Sequence, residues 1–259
     1  MPTVTPTVTL NAYFSGTSAA STDITADVVL GVQPLRGSYG ISGTSPTSRV
    51  GRTGTLTFAM NNSTSNSGGV QGYYSPGHTN ARSTGTVGWN LGLVISVTLT
   101  YAGTSYIKFI GTLTDVKPDA GRYQRQSVRC TVLDWMDEAA RSKLKALPVQ
   151  TNQRSDQLIT TLVTNSVGRQ PIATDYDTGR STFSYALDNL KDNKTTVLKA
   201  LTDVVMSEMG YLYIRGTTDA ASAKGGKLVF EHRTARLAYG ASKHSFSNNM
   251  VKLDARQSR

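Results

Sequence analysis

Apolar and polar residues alternate along the first half of the chain, most clearly between residues 93 and 101. The apolar positions there are Leu93, Ile95, Val97, Leu99 and Tyr101. A period of two residues is typical of a β-strand with one buried face. Weaker versions of the pattern occupy residues 24–32, 53–60, 107–113 and 128–132. Short strands separated by turn signals, with a turn or bulge expected over residues 115–121, predict an antiparallel β-barrel or sandwich across residues 23–133.

The period changes from two to 3.6 at Asp134, which can cap a helix that runs as far as Leu144 and stops before Pro148. A second helix is predicted from Ser155, and a third from about Thr196 to Gly210, each with one apolar face. Two strands follow, over residues 211–215 and 227–231. The pattern predicts a smaller α+β domain over residues 134–232, so the fold class expected for the chain is β-rich α+β.

The remaining segments have little to bury. Residues 1–22 are rich in Thr, Ser, Pro and Ala and predict an extended N-terminal arm. Two polar stretches, residues 37–53 and 61–88, predict long loops that contact partners. Residues 233–259 are interpreted as a C-terminal segment that returns toward the barrel or is truncated.

Composition narrows the class of protein. The net charge is +10, and most of the excess lies after residue 120, but no zinc finger, aromatic RNA-binding motif or basic helix accompanies it. We therefore expect no specific nucleic-acid recognition. No apolar stretch is long enough to span a bilayer and no signal peptide is recognisable, so a soluble protein made in the cytoplasm and without membrane contact is expected. The single cysteine, Cys130, is predicted to be buried in a strand.

Residues that could carry chemistry are scattered. His78, His232 and His244 lie far apart, and the sequence has neither a phosphate-binding glycine loop nor a nucleophile elbow. Asp175 and Asp177 share a turn but lack the other ligands of a calcium loop, so a solvated acidic turn is favoured. We therefore predict no catalytic, cofactor-binding or metal-binding residues, no cofactor, and a protein that is not an enzyme.

The order of the segments resembles the hub or minor tail proteins at the tail tip of long-tailed, siphovirus-like bacteriophages. The resemblance covers about residues 20–250 and rests on four segments: residues 22–28 (TDITADV) followed by Arg36 and Gly37, residues 54–62 (GTLTFAMNN), residues 106–116 (YIKFIGTLTDV) and residues 128–134 (VRCTVLD). It implies a β-barrel that joins identical copies around the tail axis, with an inserted α+β domain on the outer side.

The function expected from this resemblance is structural. The chain would be a virion component of the tail-tip hub or baseplate, assembled in the host cytoplasm, which forms a ring that connects the tail tube to tip proteins and lets DNA pass. The expected assembly is a homo-oligomer, a trimer with a hexamer as the alternative. The expected partners are the tail tube or distal tail protein, the tape measure protein and fibres.

Two other functions stay open at this point. The chain could be a receptor- or carbohydrate-binding tail module that uses exposed aromatic residues in polar loops, or a cell-wall glycan hydrolase, which would need two carboxylates beside a cleft. For residues 73–78, a surface turn held by stacked tyrosines is as good an interpretation as a contact site. The candidate subunit or partner contacts are Tyr73, Tyr74, Trp89, Arg49 and Arg52.

Overall fold

A computed structural model of the chain describes residues 5–14, 21–43, 45–63, 72–76, 88–119, 126–187, 194–216 and 226–236. Twelve strands and three α-helices form within these residues. The strands are β1 (Thr7–Tyr13), β2 (Thr22–Asp23), β3 (Arg36–Gly40), β4 (Arg52–Asn61), β5 (Val94–Tyr101), β6 (Thr104–Asp119), β7 (Ser127–Leu133), β8 (Gln150–Arg154), β9 (Ala173–Tyr176), β10 (Thr182–Ala186), β11 (Tyr211–Arg215) and β12 (Lys227–Glu231). The helices are α1 (Trp135–Arg141), α2 (Ser155–Ser166) and α3 (Val197–Glu208).

The first seven strands form one antiparallel sheet in the order β2-β1-β5-β6-β7-β4-β3. The predicted β-rich α+β class is confirmed. The sheet curls enough for the ring of Tyr39 on β3 to contact Phe109 on β6 edge to face, at a centroid distance of 6.2 Å. Within the described residues no ladder joins β2 to β3, so the sheet is not a closed barrel.

The inner face of the curl holds one hydrophobic core, which we call the sheet core. Leu56, Phe58 and Met60 alternate inward on β4, as predicted, and the inward residues of β7 lie beside them. One of these is Cys130, whose predicted burial is confirmed at 1% exposure. Burial raises the pKa of its thiol to about 12, so the sulfur stays protonated and unreactive at neutral pH.

The structure corrects three predictions for the sheet. Residues 7–13 are not part of an arm, because β1 pairs along its whole length with β5 and buries Leu10 and Ala12 completely. The segment predicted as a turn or bulge over residues 115–121 is strand as far as Asp119, and the bulge lies at its start, since a register shift between Leu113 and Asp115 lets β6 continue to pair with β7. Part of the predicted loop 37–53 is β3, an exposed strand. Its polar sequence gives no indication of β structure.

The predicted strand at residues 24–32 is also wrong. Asp23 accepts hydrogen bonds from the backbone nitrogen and the hydroxyl of Thr25, at 2.8 and 2.6 Å. These local bonds favour a turn over a ladder, and Thr25–Asp27 forms a single 3-10 turn. Only Val28 from this run makes a bridge, to Met60.

The helices of the second half begin at the predicted caps. Asp134 Oδ1 accepts a hydrogen bond of 3.0 Å from the Met136 nitrogen, and Thr196 caps α3. Helix α3 ends at Met209, which adopts φ +58°, ahead of Gly210. Helix α1 stops at Arg141, before the predicted Leu144, because the Leu144 nitrogen donates to the carbonyl of residue 195 instead of continuing the helix.

The three helices pack with two further sheets, β11-β12-β9 and β10-β8. Strand β12 runs antiparallel to β11, as the predicted hairpin requires, and parallel to β9. Their shared hydrophobic core, the α+β core, contains buried residues from Trp135 to Phe230, whereas the sheet core contains residues from Leu10 to Val132. The two cores divide where the sequence pattern changes. Independent folding of each half stays a prediction.

A short contact joins the two halves. Val50 pairs in parallel with Leu212, and the Gly51 nitrogen donates to the Leu212 carbonyl at 2.6 Å. A Cβ atom on Gly51 would lie 3.1 Å from the Tyr213 Cα, so the close approach favours glycine. No helix in the described part of the chain is both long and apolar enough to cross a membrane.

Candidate assembly surfaces

The predicted aromatic contact residues lie mostly inside the sheet core. Tyr74 and Trp89 are completely buried and pack edge to face, with ring centroids 4.9 Å apart. The Tyr74 hydroxyl donates to the carboxylate of Asp27, and the Tyr74 nitrogen donates to Asn62 Oδ1 at 2.9 Å. Tyr73 is half-buried against the same core. The predicted exposure of Tyr74 and Trp89 is therefore wrong, and neither ring is available to a sugar or a neighbouring subunit.

The physical reason for this error is the fold of β1. Phe14 at the end of that strand lies 6.3 Å from Trp89, centroid to centroid, and helps to cover the indole. A short polar segment with three aromatic residues can fold back onto a core when another strand supplies the remaining wall. Residues 64–71 and 77–87 of the predicted loop 61–88, together with His78 and His244, lie outside the described residues.

The two predicted arginine contacts differ from each other. Arg49 is half-buried, donates to the Met209 carbonyl and lies over the Tyr211 ring at 4.9 Å, so its described contacts are all within the chain. Arg52, at the start of β4, is exposed and makes no ion pair or hydrogen bond within the described residues. Of the two, only Arg52 is free to meet another molecule, and its contact role stays a prediction.

The clearest candidate for assembly is the pair of open sheet edges. Residues 36–39 of β3 are all exposed, and among the described strands β3 pairs with β4 alone. Strand β11 lies near β3, but no ladder joins them in the described residues. At the opposite end of the sheet, β2 pairs with Asn11 and Ala12, and in the described part of the chain no strand lies beside Thr7–Thr9 of β1 on that side. Unpaired strand edges are templates for pairing with another chain.

The carboxylates that could carry chemistry have structural partners instead. Asp175 pairs with Arg215 at 2.7 Å, Asp177 accepts from the His232 nitrogen at 3.3 Å, and Glu231 binds both Tyr213 and Arg236. Among the described residues no three His, Cys, Asp or Glu side chains are grouped as metal ligands need to be. The predicted solvated turn is wrong for Asp175, which lies in strand β9 and pairs with Arg215.

Glu208 is the most enclosed carboxylate and was not predicted from the sequence. Its oxygens accept hydrogen bonds from the Ser155 hydroxyl at 2.7 Å, the Ser181 nitrogen at 2.7 Å and the Arg180 nitrogen at 3.2 Å. Burial alone would raise its pKa, but these donors hold the pKa of Glu208 below its usual value. The sequence did indicate that this residue is buried, because Glu208 lies four residues after Val204 on the buried face of α3.

Asp134 lies where the sheet passes into the helices. The residue is 1% exposed, and while Oδ1 caps α1, Oδ2 has no hydrogen-bond partner among the described residues. Burial raises the pKa of Asp134 to about 6, although the hydrogen bond from the Met136 nitrogen opposes the rise. A Cβ atom on Gly54 would lie 2.4 Å from Oδ2, so glycine is required beside this carboxyl.

Comparison with known proteins gives matches at the level of structure. No protein-family model matches the sequence, and no curated protein sequence matches it significantly. Among solved structures, the chain is similar to the 43 kDa tail protein of prophage MuSo2 from Shewanella oneidensis, at 14% identity and a TM-score of 0.47, over 86% of this chain and 53% of that one. A tail protein from Neisseria meningitidis MC58 matches at 10% identity and a TM-score of 0.44, over 86% and 51%.

Its structural neighbours include phage tail proteins. A third match, an E. coli component of the type VI secretion system described as similar to T4 bacteriophage tail proteins, has 10% identity and a TM-score of 0.42 over 88% of this chain and 46% of that one. The chain thus spans about half the length of the structures that it matches.

Proposed function

We propose that the chain is a structural subunit of a bacteriophage tail tip, and that it works by joining neighbouring proteins rather than by catalysis. The observation that carries the proposal is the open seven-stranded sheet, with exposed residues along β3 at one end and Thr7–Thr9 of β1 unpaired at the other. The four sequence segments whose order resembles that of tail-tip hub proteins support a place in the tail tip. The partnered carboxylates support a role without turnover.

The proposed assembly is a ring in which β3 of one copy pairs with the free half of β1 in the next copy. Such a contact is head to tail, because it uses two different edges, and a head-to-tail contact generates a ring when its rotation closes. The two edges are similar in length, since β3 has five residues and β1 offers three to four beyond β2. A trimer, or else a hexamer, around the tail axis would connect the tail tube to the tip and leave a passage for DNA.

A cysteine pair tests this contact. The double variant Thr9→Cys and Ser38→Cys should form a disulfide-linked ladder of subunits under mild oxidation, because the proposed ladder brings the two edges together. Native mass measurement should give a closed multiple of the 27.8 kDa chain. Thr9→Cys alone is the matched control and should form no ladder, since Cys130 is buried. A chain that stays monomeric at every concentration, with no cross-linked species, would contradict the ring.

The receptor- or carbohydrate-binding alternative is not favoured by a specific observation. Its proposed aromatic platform is absent, because Tyr74 and Trp89 lie inside the sheet core.

A further inference from the structure

The outer face of the sheet, opposite the sheet core, carries a basin of about 520 Å³. Its floor consists of Asp115 and Lys117 on β6 and of Arg129 and Thr131 on β7, which are direct cross-strand partners. One wall is formed by Val32, Gln33 and Pro34, in the connection that leads to β3. The volume falls within the usual range of binding pockets, and the basin is separate from both open edges.

Two arginines on this face have no partner. Arg129 is exposed and makes no ion pair or hydrogen bond within the described residues. Arg36 on β3 is equally unpaired, and it lies on the same face because the register runs from Arg36 through Thr57 to Thr131. Two strand spacings separate β3 from β7, which is about 10 Å. Lys117 is bound to Asp115 at 3.0 Å, so the uncompensated charge in the lining of the basin belongs to Arg129, and Arg36 lies beside the basin on the same face.

The rim of the basin is apolar. Val32 is 41% exposed, and Leu30 in the same connection is 65% exposed. Unpaired arginine beside exposed aliphatic side chains is a combination enriched at protein interfaces, where the apolar groups are buried and the guanidinium gains a carboxylate.

We propose that this basin binds an acidic segment of a different protein, one that also carries apolar side chains. Charge complementarity identifies the partner. A second copy of the chain fits poorly, because its net charge is +10 and every carboxylate in the described residues already has a hydrogen-bond or ion-pair partner. The inference goes beyond the ring, since it requires no contact between copies.

Nucleic acid fits less well than a polypeptide. Among the residues that line the basin, Arg129 is the one cation without a carboxylate partner in the described part of the chain. Duplex binding depends on several cations that each neutralise a phosphate, and apolar side chains such as Leu30 contribute little to it.

Binding by the full chain can be measured with a fluorescein-labelled peptide that repeats Glu-Leu-Glu-Ser. Arg129→Glu should weaken binding by about 10-fold, because it removes one attraction and adds one repulsion. Lys145→Glu is the matched control. It makes the same change in net charge at an exposed residue of the α+β half and should weaken binding by no more than about 2-fold. Leu30→Ser, which leaves the charge unchanged, should also weaken binding and serves if Arg129→Glu fails to fold.

Three results would overturn the proposal. The first is no binding of the peptide by the wild-type chain. The second is an equal loss in Arg129→Glu and Lys145→Glu, which would show attraction by net charge alone. The third is tighter binding of a labelled DNA duplex than of the peptide, lost in Arg129→Glu, which would make the basin a nucleic-acid surface. None of these depends on ring formation, so the two proposals fail separately.

Discussion

The two halves of the molecule differ in how many of their charged side chains form ion pairs. Within the described residues, five of the six ion pairs lie in the α+β half: Arg141–Asp137, Arg154–Asp156, Lys199–Asp203, Arg215–Asp175 and Arg236–Glu231. The sheet half contains one, Lys117–Asp115, and leaves Arg36, Arg52 and Arg129 without partners. Because exposed ion pairs add little to stability, the difference concerns accessibility more than folding. Cations without an ion pair within the described residues occur in both halves, Lys145 and Lys227 among them, so the halves differ in their number of ion pairs and in the open edges of the sheet.

The buried carboxylates of the two halves also differ in how fully they are hydrogen-bonded. Glu208 lies inside the α+β half and accepts three hydrogen bonds, whereas Asp134 lies where that half meets the sheet and leaves one oxygen unpartnered. The pKa of Glu208 is lowered and that of Asp134 is raised to about 6. The two carboxylates therefore titrate in opposite directions, because desolvation dominates at Asp134 whereas hydrogen-bond donors outweigh desolvation at Glu208.

The largest expected effect comes from placing a charge in the α+β core. Val205 is completely buried on α3, so Val205→Asp should destabilise the chain by about 4 kcal/mol, the range for an unpaired buried charge. Chemical denaturation followed by circular dichroism measures the change. Ser207→Asp, on the exposed side of the same helix, should cost no more than about 1 kcal/mol. Equal melting of the two variants would mean that the two faces of α3 are wrongly assigned.

The next effect concerns Glu208. Glu208→Ala leaves the Ser155 hydroxyl and two backbone nitrogens without an acceptor, so we expect a loss of about 3 kcal/mol at pH 7. Because the pKa of Glu208 is lowered in the folded chain, its contribution is present above pH 4.5 and is lost as pH falls through the folded pKa. Glu208→Gln preserves the volume and should lose this dependence on pH. A wild-type and Gln pair with parallel stability profiles below pH 4.5 would show that the carboxylate charge contributes nothing.

The smallest effect, and the one with the opposite sign, concerns Asp134. A pKa raised from 3.8 to about 6 means that the folded chain favours the protonated carboxyl, so stability contributed by this group is present below pH 3.8 and is lost as pH rises to about 6. Asp134→Asn can still cap α1 and should therefore be more stable than wild type at pH 7, by about 2 kcal/mol. Urea denaturation between pH 3.5 and 7 measures it, with Asp203→Asn as the exposed control. A less stable Asn variant at pH 7 would indicate that the charged form is favoured.

The sequence predicted those elements whose buried face repeats regularly. Strands β4, β5 and β7 and helices α2 and α3 were found because their side chains alternate or recur every three to four residues. Strand β1 was missed although Val8, Leu10 and Ala12 alternate in it, because the surrounding Thr and Pro residues gave the segment the composition of an arm. The interpretation relied on the composition of the segment and not on the two-residue period of its apolar side chains. The period indicates the strand correctly.

The candidate surfaces were harder to predict, because exposure depends on which strands become neighbours. The polar sequence around Tyr73, Tyr74 and Trp89 favoured exposure, and only the position of Phe14 on the adjacent strand shows why two of the three rings are buried. The basin could not be predicted from the sequence either. Arg36, Lys117 and Arg129 are distant in sequence, and a register must be known before they can be placed on one face.

The length of β6 has a mechanical consequence. At about 3.3 Å per residue, its sixteen residues extend for about 50 Å, the first part paired with β5 and the last part with β7. Strand β6 therefore joins the part of the sheet that contains β5 to the part that contains β7. A pull along this axis loads the hydrogen bonds of both ladders together, whereas a pull across the sheet would open them one after another. A protein under tension in that direction would resist extension, and the resistance would come from the two ladders that β6 joins.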